Sequence, residues 1–264
     1  MASNPQEVVI PGGKIYFDKF DESGNKTGER YLGDTSGAVV KIASTELEHR
    51  NTETGASVVD YKVVTKIDRT GEITIDTIST ENVALFFLAD SATVTQTSGS
   101  VTAEALTVKS GLYYQLGVSG GVPTGVRGIS SVVVKNNAGT TTYILGADYT
   151  VDLTLGRLYI VPGGAIATAA AGSTTGLKVD YTKAANTRTQ IATGSATEIS
   201  GALRVVAENA AGENRDFYAP SVTLAPSGDY TIKDDGSKFM SMKFALTILT
   251  PTSGSAVYID SRAA

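Results

Sequence analysis

Catalysis draws on a small set of side chains, and this chain supplies few of them in useful arrangements. It contains one histidine, His49, and no cysteine. A serine-histidine-aspartate mechanism would have to run through His49. That residue lies in a polar stretch, TELEHRNTETGA, and no GxSxG elbow occurs anywhere to present a nucleophile. A single imidazole without thiolates removes the usual zinc sites. The pair Asp234 and Asp235 lacks the Asp and Asn spacing of a calcium loop and reads as a turn before the last strand. Spacing leaves carboxylate pairs for glycoside hydrolysis open, because any two acids in a β sandwich can meet. A sugar-binding face usually offers aromatic platforms, however, and the chain has no tryptophan. Its tyrosines, Tyr113 and Tyr114 among them, fall in strand patterns where packing is the default role. No glycine-rich loop is followed by Lys and Ser or Thr to cradle a phosphate. The expectation is a protein that is not an enzyme and carries no cofactor or metal.

Charge narrows the partners. The net charge of −5 is unevenly placed: residues 1–95 hold 9 basic and 15 acidic side chains, a net of −6, and the remainder nets +1. Gripping DNA by its phosphates needs the opposite balance, since binding depends on basic groups that release counterions. Ordinary solubility charge accounts for the same numbers. The absence of cysteine suits assembly in a reducing cytosol. The start, MASNPQEVVIPGG, has no basic region followed by an apolar one, and the longest strongly apolar run is Val83 to Ala89, so neither a signal peptide nor a membrane span is expected.

The elements that would position these residues are strands. With 28 glycines, 19% charged residues and abundant Thr, Ser, Val and Ala, the composition argues against a helical bundle. The chain is long enough for one large all-β domain or two small ones. Lys14 to Phe20 alternates and should close a hairpin with Arg30 to Leu32. Ala38 to Ser44 reads as a strand, Thr45 to Ala56 as a long polar loop tipped by Asn51, Thr52, Thr54 and Gly55, and Ser57 to Ile67 as a half-buried strand. In that strand Val59, Tyr61, Val63 and Ile67 share one face, opposite Asp60, Lys62, Lys66 and Asp68. Arg69-Thr70-Gly71-Glu72 has turn chemistry, with Gly71 free to take positive φ before Ile73 and Ile75 resume the apolar face. Ser79 or Thr80 should cap a short helix, with Glu81 in its first turn and an apolar run from Val83 to Leu88 that plugs the open sheet face.

Further on, Leu112 to Leu116 predicts a strand and the glycine-rich Ser119 to Gly128 a boundary. Residues 129–181 are hairpins at short intervals, SSVVV and TTYIL around a turn NNAG, then DYTVDLTLGRLYIV, a Gly and Ala loop from Gly163 to Gly176, and LKVDY. Alternation returns in Ile199 to Asn209, in Phe217 to Leu224 and, most clearly, in Lys238 to Leu249. That last strand carries Met240, Met242, Phe244, Leu246 and Ile248 on one face and is expected to cross the main sheet centrally, which implies non-local pairing.

The order of these elements, together with GDT at Gly33 to Thr35, TELEH at Thr45 to His49, DRTGEI at Asp68 to Ile73 and ISTENVALFFL at Ile78 to Leu88, resembles the tail tube (major tail) proteins of long-tailed bacteriophages. The similarity is clearest over the first 90 residues or so, resumes from Glu198 to Thr250, and is weak between. It implies a mainly β fold, a β sandwich or barrel of tail-tube type with one short buried helix, formed by residues 1–118 and 187–264, and a small inserted outer β subdomain over 119–186. It implies a structural virion protein that oligomerises into stacked, hexameric rings through which DNA passes without specific binding. The tape measure, tail terminator and tail-tip proteins are the implied partners, with assembly in the host bacterial cytoplasm. The long loop of such proteins reaches into the neighbouring ring, so Glu46, Glu48, His49, Arg50, Asn51 and Thr52 become stacking contacts. The acids Asp60, Asp68, Glu72 and Asp76 become candidates for the lumen, where negative charge would repel DNA and let it slide. The competing reading, from the Thr, Ser and Gly richness and repeated hairpins, is a surface or secreted β-sandwich module for adhesion or glycan binding. The missing export signal and missing tryptophan count against it.

Overall fold

The computed structural model describes residues 8–53, 55, 57–194 and 196–262. The chain is mainly β and divides into two compact units, residues 1–92 with 191–264 and residues 93–190. No described helix is long and apolar enough to cross a membrane.

The first unit is built on an eight-stranded sheet. Its strands are β1 (Gly13–Lys19), β2 (Arg30–Tyr31), β3 (Thr35–Asn51), β4 (Val58–Ile75), β13 (Ile199–Ala207), β14 (Asn214–Pro226), β15 (Met242–Ile248) and β16 (Tyr258–Arg262). The order is β2-β1-β13-β14-β15-β4-β3, with β16 pairing the first half of β14. Every neighbouring pair is antiparallel. Period-2 alternation does what it must in β15: Met242, Phe244, Leu246 and Ile248 are buried and the residues between them exposed. This strand is central, as expected, but shorter than Lys238 to Leu249, because pairing with β14 and β4 covers only Met242 to Ile248.

Over the buried face lies helix α1 (Thr80–Phe86). Ser79 caps it, its side chain accepting from the Asn82 N–H, and Glu81 sits in the first turn. Leu85 and Phe86 enter the core beside Phe17, Leu32, Ile73, Ile75 and Phe244. The Phe86 ring meets Phe244 edge to face at 5.8 Å. This is the plug that the apolar run Val83 to Leu88 predicted.

The second unit is wider than 119–186. Its strands are β6 (Gly99–Val108), β7 (Tyr113–Gln115), β8 (Ile129–Asn136), β9 (Tyr149–Asp152), β10 (Arg157–Ile160) and β11 (Thr175–Lys183). The glycine-rich stretch 119–128 is internal to this unit and marks no boundary, because β6 and β7, which precede it, pair with β11 and β10, which follow. Two three-stranded sheets, β6-β11-β8 and β7-β10-β9, enclose one apolar core of Val108, Leu116, Val134, Leu158, Ile160, Leu177 and Val179. The expected Gly and Ala loop contains a second short helix, α2 (Ala165–Ala170), which buries Ile166 and Ala170 and ends at Ala171 in the left-handed conformation. Strands β5 (Ala89–Gln96) and β12 (Asn186–Thr193) form a separate two-stranded ribbon.

Candidate functional site

The feature that stands out from the first unit is a two-stranded arm. Instead of strand, loop, strand, turn and strand, the chain makes two long strands, with β3 continuous through Glu46, Glu48, His49 and Arg50 to Asn51, and β4 continuous from Val58 to Ile75. The expected polar loop, Thr45 to Ala56, shrinks to what lies between Asn51 and Val58, of which Thr54 and Ala56 lie outside the described residues. Polar side chains suit these positions because a ribbon exposed on both faces needs no buried stripe.

The expected turn at Arg69 to Glu72 is strand as well. Gly71 pairs with Val40 on one side and Leu246 on the other. Glycine is required there for space, not for a turn, since a Cβ at this position would stand 2.3 Å from the Val39 carbonyl oxygen. Pairing on both flanks overrides the local turn preference of Arg-Thr-Gly-Glu.

β4 is held by β15 only from Thr70 to Ile75. From Val58 to Arg69 it pairs with β3 alone, so the ribbon projects by roughly 35 Å at ~3.3 Å per residue. β3 ends the strand order, so its outer backbone groups have no strand partner among the described residues.

Register shifts between Thr45 and Glu46, and between His49 and Arg50, place an extra β4 residue at each point. Directly opposed residues share a face, so Val59 and Ile67 lie on one side, opposite Arg50 and Ser44, while Tyr61 and Val63 lie on the other, opposite His49 and Leu47. The single apolar face expected for Val59, Tyr61, Val63 and Ile67 is thus split by the bulges. Nor is the strand half-buried: Tyr61 is 65% exposed, Leu47 65% and Ile67 52%. Val39, Val40, Ile42, Val58, Val63 and Val64 are exposed too, giving both faces of the arm an uncovered apolar surface.

The charged residues of the arm are laced to one another. The Lys62 ammonium pairs with Glu46, which raises its pKa above the ordinary lysine value. Arg50 reaches Glu48 at 3.2 Å, and His49 Nδ1 lies 2.6 Å from Asp60 Oδ1. The Asn51 side chain accepts the Glu53 N–H at 2.8 Å and begins the tip as an Asx turn. Thr52 is exposed beside it.

The four candidate lumen acids do not form one patch. Asp68 and Glu72 share the solvent face of the sheet, where Lys66 lies 2.9 Å from Asp68 and Lys243 3.4 Å from Glu72. Asp60 is out along the arm with His49, and Asp76 is at its base, accepting from the Ser36 hydroxyl at 3.2 Å. Each acid has a neighbouring donor, so the face is mixed in charge.

The base of the arm is bolted down by residues far apart in sequence. Asn82, 1% exposed, donates to the Leu32 carbonyl at 2.7 Å and to the Thr77 carbonyl at 2.9 Å. The Asp34 N–H donates to Thr77 Oγ1, and the Asp76 N–H to the Asp34 carbonyl. Gly33, at φ +87°, packs so close that a Cβ would fall 2.4 Å from the Thr77 side chain. The GDT and ISTEN stretches are therefore two halves of one clamp, which fixes the direction in which β3 leaves the core. Among the described residues no group of His, Asp and Glu is placed to hold a metal.

Together these features define a mainly β protein with an inserted β sandwich and a clamped, projecting two-stranded arm. The chain belongs to the family described as Protein of unknown function UCP028589, whose model matches residues 9–253. No curated protein matches it significantly.

Proposed function

We propose that this protein is a structural subunit of a bacteriophage tail tube, assembling with copies of itself into stacked rings around a channel for DNA. The observation that carries the reading is the arm, roughly 35 Å of ribbon with apolar side chains uncovered on both faces. An isolated two-stranded ribbon is marginal in water, and a long unprotected edge is a template for pairing with another chain. A neighbouring copy that covers the arm and pairs with β3 turns that hazard into assembly. Contacts between unlike surfaces of identical subunits close into a ring where the rotation allows it and otherwise run on, so rings joined one to the next by arms propagate as a filament. The clamp of Gly33, Asp34, Thr77 and Asn82 supports this role by fixing the arm before any neighbour is met. In this reading Glu46, Glu48, His49, Arg50, Asn51 and Thr52 make the ring-to-ring contact, and the mixed polar face bearing Asp68 and Glu72 lines the channel. Tape measure, terminator and tip proteins would bound the tube, within the virion tail.

The test is deletion of Asn51 to Gly55. The shortened protein should fold, with an unchanged melting temperature, yet form no stacked rings in negative-stain micrographs. Tubes of normal length from the deletion protein would sink the assignment.

A further inference from the structure

We propose that the loop joining β14 to β15 is a knob that seats in a socket beside α1 on a second copy of this chain, making the side-to-side contact within a ring. The inference rests on the reading of the chain as self-assembling, and it names surfaces distinct from the arm.

Nothing within the subunit asks this loop to be apolar. Neighbouring antiparallel strands need about two to five connecting residues, yet β14 ends at Pro226 and β15 starts only at Met242. Within that stretch Ile232 is 91% exposed and Phe239 wholly exposed. Both border one hollow of the loop, so they form a single patch. The loop is also held in place. At its base the Ser227 N–H donates to the Lys243 carbonyl, and the Tyr230 ring packs against Phe87 at 4.8 Å and Phe86 at 5.5 Å. Farther out, the Asp235 side chain accepts the Ser237 N–H at 2.9 Å, and Gly236 turns the chain at φ +89°. A loop shaped in advance loses little freedom on docking.

The socket is a cleft of about 230 Å³ in the same unit. Buried Phe17, Ala84, Leu85 and Ala89 form its floor. An apolar cavity of about 150 Å³ already holds benzene, so the ring of Phe239 fits. The charges around the opening complement those of the loop. Lys19 meets Asp90 at 2.8 Å, which leaves Arg30 and Glu81 for a partner. Arg30 is half-buried, and burial holds its guanidinium below its ordinary pKa, with Glu81 opposing through space. The loop brings both signs, the acids Asp234 and Asp235 for Arg30 and the exposed Lys233 and Lys238 for Glu81.

Helix α1 stands between the two surfaces. At ~3.6 residues per turn, Glu81, Ala84 and Leu85 fall on the flank that lines the socket, and Phe86 falls on the other, against Tyr230. Knob and socket therefore lie on opposite flanks of the helix. Each contact leaves one knob and one socket free, so contacts run head to tail until the ring closes.

Cross-linking of the 264-residue chain tests this, because it has no cysteine of its own. Ser237→Cys places a thiol beside the knob and Ser91→Cys places one on the socket rim, both at exposed positions that leave the charges intact. With a short bismaleimide the doubly substituted protein should give a ladder of covalent oligomers on a denaturing gel. A mixture of the two single variants should stop at dimers. Adding Phe239→Asp to the double variant should lower the cross-linked fraction about tenfold or more, since burying a side chain of this size carries at least that factor. Melting curves establish that this variant is folded, and if it is not, Ile232→Asp decides. The ladder should survive deletion of Asn51 to Gly55, so the two contacts fail separately. A ladder from a protein that never stacks would sink the tube and leave the knob and socket standing. No ladder, a product that stops at dimer in the double variant, or a ladder indifferent to the aspartate overturns the proposal, even where micrographs show rings.

Discussion

Replacing Leu47 and Tyr61 together by serine attacks the arm where it is most exposed. Both side chains lie on one face near the tip, opposite Val63 and His49, and each is 65% exposed. Fully burying a side chain of this size is worth ~1.5–3 kcal/mol. A third of each is already covered, so a neighbouring copy that buries the rest gains about 1–2 kcal/mol from each. The pair then contributes about 3 kcal/mol per subunit to assembly, and at ~1.4 kcal/mol per tenfold the critical concentration should rise by roughly 100-fold. The melting temperature of the unassembled subunit should not fall, because neither side chain reaches its core. Sedimentation velocity across a concentration series gives the first quantity and scanning fluorimetry below the wild-type critical concentration gives the second. A critical concentration unchanged within about threefold would refute the reasoning. So would a clear loss of subunit stability, since it would mean that the arm's side chains serve the monomer.

Two further outcomes are expected. Asn82→Ala removes two hydrogen bonds of the clamp, one buried and one partly buried, and strands the Leu32 and Thr77 carbonyls, and chemical denaturation should show a loss of about 2–4 kcal/mol from the first unit. Asp216 is held below the usual carboxylate range first by the Arg262 guanidinium and then by the Ala207 N–H. Its folded pKa is depressed, so its stabilisation is fully present above the unfolded value of ~3.9 and is lost as pH falls through the folded one. Asp216→Asn should therefore flatten the decline of melting temperature below about pH 4, and an unchanged slope there would remove Asp216 from the acid response.

Where local chemistry decides, the sequence was a good guide. Ser79 caps α1 because a hydroxyl at that position satisfies an orphan N–H whatever surrounds it, and β15 was legible because one of its faces is fully buried. Where distant pairing decides, it was not. Residues 45–51 carry no apolar alternation, since a ribbon exposed on both sides asks for none, and so they read as a loop. Gly71 has the neighbours of a turn residue, and only its partners Val40 and Leu246, remote in sequence or across a hairpin, make it a strand residue. The bulges that move Tyr61 and Val63 to the face opposite Val59 arise from pairing and leave no mark in the residue pattern. The reach of the second unit was hidden in the same way, because the partner of β6 is β11, beyond the glycine-rich stretch. One element could have been found: the Ala-rich AIATAA between Gly164 and Ala171-Gly172 has helix-forming residues flanked by stop signals.

The central claim is that the chain assembles with itself through the arm. Negative-stain electron microscopy of the purified 264-residue chain over a concentration series, with light scattering on the same samples, tests it most directly. The account predicts rings or hollow filaments with a central channel, appearing above a threshold concentration and absent from the arm-tip deletion. Single 27.4-kDa particles at every concentration would contradict it.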